Sequence, residues 1–142
     1  MHDFKWVGRP VTRVDARGKV TGEQKYMGDL KFPGMAYGRV LRSKYPHAHI
    51  KSIDTSRAES APGVVKVLTW RDVGGLNGYG IAIPDQPVLC RDKVRYMGDA
   101  VALVIAESAE QAERALALVN VDYEVLPVVD DPEAAILPDS PR

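Results

Sequence analysis

Hydrophobic and polar positions follow one another in short runs whose period changes along the chain. Up to Pro33, glycine and charged residues interrupt every apolar repeat, so residues 1–33 are expected to form an arm without a core, ordered by whatever it docks on. Met35 to Arg42 reads as a strand, with Tyr37, Arg39 and Leu41 on one face and Ala36, Gly38 and Val40 on the other. The smaller face is expected beneath a helix. After the Tyr45-Pro46 turn signal, Ile50 to Ile53 reads as a short strand. Asp54 or Thr55 then caps a brief helix that ends near Pro62-Gly63. Val64 to Thr69 is rich in β-branched residues, with Val65 and Val67 on one face and Lys66 on the other.

Gly74, Gly75, Gly78 and Gly80, with Pro84 and Pro87, break every period beyond this point, which predicts a long functional or interface loop. Val94 to Tyr96 is a short strand candidate and Gly98-Asp99 a turn. Val101 to Ala106 reads as a continuous apolar strand at the sheet centre, covered on both faces. Ser108 stands three residues before Gln111, a capping-box spacing, and Ala109, Ala112, Leu116 and Val119 recur on one helical face. Val121, Tyr123 and Val125 alternate with Asp122 and Glu124, as in a strand with one wet face. Strand 101–106, helix 109–119 and strand 121–126 suggest a β-α-β unit with a right-handed crossover, echoed loosely by residues 50–69. The expected fold is therefore α+β over residues 34–130: a mixed sheet with two short β-α-β units and two main helices. In residues 131–142, Asp131 can cap one helical turn from Pro132 to Ile136, and the prolines that follow suit a linker towards another domain.

Charge and composition narrow the function classes. Nineteen basic residues balance nineteen acidic ones, so no long-range field favours nucleic acid or an anionic membrane surface. The longest apolar run, Ala100 to Ala106, is far below the ~20 residues that span a bilayer. The N-terminus shows no secretory pattern, and a single cysteine offers neither a disulfide nor an iron–sulfur ligand set, so a reducing cytoplasm is expected.

Candidate chemistry is sparse. His47 and His49 have a spacing that can bind zinc but lack a third ligand, so a structural turn or strand entry is the favoured reading. Cys90 beside Arg91 is read as packed rather than as an activated thiolate. The glycines of 74–80 lack a phosphate-binding spacing. Asp99 is assigned to turn chemistry, and Asp122 and Glu124 to solvated charge. Tyr79 and Ile81 are left as the side chains of the Gly-rich loop able to line a ligand path. No catalytic, cofactor-binding or metal-binding residue is assigned.

Several segments, taken together, resemble a known domain: Val7 to Ala16, Lys19 to Gly22, Pro33 to Tyr37, Tyr45 to Ser56, Pro62 to Val64, Val94 to Ala102 and Val121 to Pro127. They are similar, in order and over nearly the entire chain, to the α/β hammerhead at the start of the molybdopterin-binding subunit in the xanthine dehydrogenase and aldehyde oxidase family. The resemblance implies a parent oxidoreductase that hydroxylates an aldehyde or N-heterocycle at a molybdopterin centre and passes electrons to iron–sulfur clusters and often FAD. It also implies that the cofactor-binding and catalytic residues lie in domains downstream of this chain, which would act as an inactive scaffold by itself. The substrate stays open among purines, nicotinate-like rings, aldehydes and aromatic thioesters. By the same resemblance, the loop 74–87 approaches the substrate entry side, where Tyr79 and Ile81 are expected to shape access. The alternative is an independent module that binds a small ligand through that loop.

Overall fold

Among the described residues, strands pair only with strands two or four places away in sequence, which separates them into two sheets. The computed structural model describes residues 5–141. It divides into two units, Met1–Pro33 and Gly34–Arg142. The smaller unit holds helix α1 (Ala16–Thr21). In the larger unit the strands are β1 (Tyr37–Arg42), β2 (Ala48–Asp54), β3 (Val64–Leu68), β4 (Lys93–Val94), β5 (Ala100–Ala106) and β6 (Asn120–Val125). Odd strands form one sheet in the order β1-β5-β3, and even strands the other in the order β4-β2-β6. Every pairing is antiparallel.

This corrects the single mixed sheet with a parallel crossover. The two β-α-β successions exist along the chain, but each leads from one sheet to the other. Helix α2 (Ser56–Glu59) joins β2 to β3, and helix α3 (Ala109–Leu116) joins β5 to β6. Periodicity reveals which residues form strands, whereas partner choice depends on contacts far apart in sequence.

Local capping follows the sequence closely. Ser108 Oγ accepts from the Gln111 N–H at 3.2 Å and starts α3, whose Ala112 and Ala115 are buried. Asp54 accepts from the Ser56 N–H at 3.0 Å and from the Ser56 hydroxyl at 2.7 Å, which starts α2. The turn of helix at Pro132–Ala135 is capped by Asp131, which accepts from Glu133 and Ala134 at 3.1 and 3.2 Å.

Two clusters form the core. In the odd-strand sheet, Val67 and Val104 pack with Ala58 of α2 and Ala115 of α3. In the even-strand sheet, Ala48, Ile50 and Val94 pack with Cys90 and Val101. Val101 belongs to β5, yet it contributes to the even-strand cluster. Alternation along β5 puts Val101 on the face opposite Ala102 and Val104, and a bulge lies there: Leu41 pairs with Ala102 and Arg42 with Ala100, which leaves Val101 without a partner on β1.

Three further expectations are overturned. Arg39 lies opposite Val104, on the helix-covered face, and its guanidinium meets Glu113 of α3 at 3.3 Å, so the Tyr37–Arg39–Leu41 face rather than the smaller one carries the helix. A second bulge between Val64 and Lys66 leaves Val65 63% exposed while Val67 is buried, so they do not share a face. β5 buries Ala102, Val104 and Ala106, but Leu103 and Ile105 on its other face are only half-buried.

The unit up to Pro33 contains one short α-helix among its described residues. Its helix α1 forms where no helical period was visible, and none of that helix's residues is buried. Asp15 holds it from its N-terminal side through Arg13 at 2.6 Å and Lys19 at 2.8 Å. Gly22 ends it in the left-handed conformation that glycine adopts without strain.

Candidate functional site

The Gly-rich segment forms an ordered hairpin-like loop. The Tyr79 N–H donates to the Gln86 carbonyl at 2.8 Å, and the Gln86 N–H returns to Tyr79 at 3.2 Å. At the base, the half-buried Asn77 acts as a clamp. Its amide donates to the Leu89 carbonyl at 2.7 Å, and its oxygen accepts from the Val88 and Leu89 N–H groups, both at 3.1 Å. Gly78 and Gly80 are required by close backbone approach, because a Cβ would meet the Pro84 carbonyl at the first and the Ile83 carbonyl at the second.

Tyr79 is 52% exposed and Ile81 lies fully exposed at the tip, with Ile83 beside it. The loop thus presents an apolar tip, but the space between its arms is filled by its own backbone. That filling disfavours the independent module in which the loop itself encloses a ligand.

The histidines are separated by their roles. His47 Nδ1 lies 2.6 Å from the Pro127 carbonyl and is half-buried, whereas His49 sits exposed on β2. Among the described residues, no group of three or more histidine, cysteine, aspartate or glutamate side chains gathers as a metal cluster would. Asp122 and Glu124 lie on β6, with Glu124 exposed and facing Lys51 at 3.6 Å.

Cys90 and Asp99 are both buried and lie together. The Asp99 carboxylate accepts from the Arg95 N–H at 3.0 Å, while its backbone carbonyl accepts from Ser43 at 2.8 Å. The dipeptide Gly98-Asp99 does form a turn, with Gly98 at φ 99° and the Asp99 N–H donating to Tyr96 at 3.2 Å. What the turn signal missed is that the Asp99 residue is only 2% exposed. Burial, reinforced by the Asp99 carboxylate, pushes the Cys90 thiol up to about 12, so the thiol stays protonated. Arg91 gives it no help, because its guanidinium lies over Trp70 at 4.7 Å.

A pH dependence follows. The folded-state thiol titrates above the ordinary 9.0, so between about pH 9 and about 12 the unfolded chain releases a proton that the folded chain retains. Stability should fall as pH rises through that window and be unaffected by Cys90 below it. Tyr123, raised by burial, adds in the same direction. Urea titrations at about pH 8 and about pH 10.5 for the native chain and Cys90→Ala check this: the alkaline loss of stability should shrink in the variant.

Comparison with known proteins defines the family. Residues 21–127 match the model of the aldehyde oxidase and xanthine dehydrogenase a/b hammerhead domain. The chain is 61% identical over 130 residues to a probable xanthine dehydrogenase subunit of Bacillus subtilis, covering 92% of this chain and 17% of that relative. It is 40% identical to the nicotinate dehydrogenase large molybdopterin subunit of Eubacterium barkeri, covering 98% of this chain and 33% of the relative. Among solved structures, a Cu,Mo-CO dehydrogenase chain superposes with a TM-score of 0.87 at 42% identity, over 94% of this chain and 17% of that one. The aldehyde oxidoreductase of Desulfovibrio desulfuricans gives 0.86 at 35% identity, over 93% and 16%. The chain therefore spans between about a sixth and a third of the length of these proteins. With the matched segment containing all six strands and both sheet-to-sheet helices, the chain belongs to the aldehyde oxidase and xanthine dehydrogenase a/b hammerhead family.

Proposed function

We propose that this chain is the hammerhead part of a molybdopterin-dependent oxidoreductase and acts in it as a scaffold that positions the loop 74–87 beside the substrate path. The observation that carries this reading is the close agreement in fold and sequence with chains of molybdenum enzymes that are several times longer. In the proposed assembly its partners are molybdopterin-binding domains of the same polypeptide, together with iron–sulfur and FAD modules. A cytoplasmic setting fits the single, unpaired Cys90. Residues 34–130 are assigned to the domain body and 131–142 to a connection, with 1–33 as an arm.

We assign no residue of this chain to holding the molybdopterin group, which the reading gives to the domains joined to it. Each buried side-chain nitrogen and oxygen among the described residues has a partner within the chain. No reaction step is therefore assigned to these residues. The 142-residue chain alone should give no turnover with an artificial electron acceptor.

Tyr79 and Ile81 are assigned to substrate access because the loop clamp holds them outward on an apolar tip. Changing both to alanine in the complete enzyme should alter KM or substrate preference by a few-fold, with kcat for the smallest substrate nearly unchanged. An identical substrate profile and turnover would remove them from that role.

A further inference from the structure

Two arginines converge on one indole. The Arg71 guanidinium carbon lies 4.9 Å from the centre of the Trp70 ring, and that of Arg91 lies 4.7 Å from it. Arg71 follows Trp70 in the short turn after β3, while Arg91 comes from the segment before β4. Distant parts of the chain are thus brought to one ring. Both arginines are exposed and Trp70 is half-buried.

Among the described residues, no carboxylate forms an ion pair with either guanidinium. The nearby acid Asp72 is committed elsewhere: it meets Lys66 at 3.2 Å and accepts from the Thr69 N–H at 2.9 Å. The ring quadrupole attracts each cation and holds its guanidinium in place while leaving its N–H groups open to a negative partner. A shallow groove of about 170 Å³ lies against them, lined also by Lys51, Ile53 and one acid, Asp92, which forms no ion pair with either guanidinium. It is smaller than the roughly 300 Å³ at which pockets begin to enclose a free organic ligand. It can seat the end of one side chain. Tryptophan and arginine are also the residue types that most often dominate protein contacts energetically.

We propose that Trp70, Arg71 and Arg91 form a docking point for an acidic side chain, aspartate or glutamate, presented by a protein surface. The planar guanidinium forks match a carboxylate, and the indole shields one side of the contact from water. Charge complementarity identifies the occupant: the chain as a whole is neutral, and with Lys51 paired to Glu124 the groove still sets two arginines against the single acid Asp92. The inference is independent of the role proposed for the loop tip.

The test uses the full 142-residue chain with a tetraglutamate peptide, a tetraglutamine peptide and acetate, all at matched ionic strength. The readout is the indole N–H resonance of Trp70, distinguished from that of Trp6 by a Trp6→Phe background. Tetraglutamate should shift it saturably and bind about tenfold more tightly than acetate, while tetraglutamine leaves it unmoved. Arg71→Gln and Arg91→Gln should each weaken the binding several-fold, and Arg91→Lys, which keeps the charge but loses the fork, should weaken it less than Arg91→Gln. An unchanged amide spectrum will certify that the variants keep the fold. If the glutamine variants bind tetraglutamate as the native chain does, or if sodium chloride produces the same shift, the docking point is refuted. Acetate binding as tightly as the peptide would overturn the assignment to a protein side chain.

Discussion

Val101→Asp is expected to leave the chain unfolded. Val101 is fully buried at the bulge of β5 and packs among Ala48, Ile50, Cys90 and Val94. None of these neighbours carries a cation, and the buried Asp99 has the same sign as the incoming carboxylate. An unpaired acid in such a place costs on the order of 4–5 kcal/mol, comparable with the whole stability of many small domains. Val101→Ala, which removes only apolar volume, should cost about 2 kcal/mol. Urea unfolding followed by circular dichroism separates the two: the alanine variant should show a cooperative transition at lower urea, and the aspartate variant none. A cooperative transition for Val101→Asp at the native midpoint would show that the cluster does not hold the sheets together.

Asp99→Ala should destabilise by about 3 kcal/mol, because it strips the partner from the Arg95 N–H and from the Cys90 thiol while leaving a small void. It should also lower the pKa of Cys90. Desolvation is the larger cause of the raised value and survives the substitution, whereas the hydrogen bond and charge of Asp99 are lost, so the thiol should titrate below about 12 yet above 9.0. Thiolate absorbance against pH measures this directly. If stability fell with no change in the thiol titration, the two groups would not be coupled as the geometry indicates.

Local chemistry was legible in the sequence wherever a side chain acts on its own neighbours in the chain. Ser108, Asp54 and the Asp131-Pro132 pair start the helices expected of them, and the β-branched runs become strands. The sheet partition was not legible, because alternation looks the same whether a strand joins one sheet or the other. Bulges at Val65 and Val101 escaped for a related reason: each is a mismatch between two strands and leaves no mark on either alone. At the loop, the glycines announced an irregular segment, but the clamp by Asn77 rests on bonds to residues on the far arm of the loop. Trp70 carries no local mark of its place, since its cationic neighbour Arg91 arrives from a distant part of the chain.

The alternation of odd and even strands bears on how the molecule is made. No continuous stretch of chain contains one sheet without strands of the other, so the even-strand sheet stays incomplete until Val125 has left the ribosome, and β2 waits through β3, β4 and β5 for its last partner. Pairings over such separations must close large loops before they are rewarded, which slows folding relative to helical domains of equal size. Nascent chains halted anywhere before β6 would expose the apolar side of β2 to their surroundings, the kind of unpaired edge that favours aggregation of partly made chains.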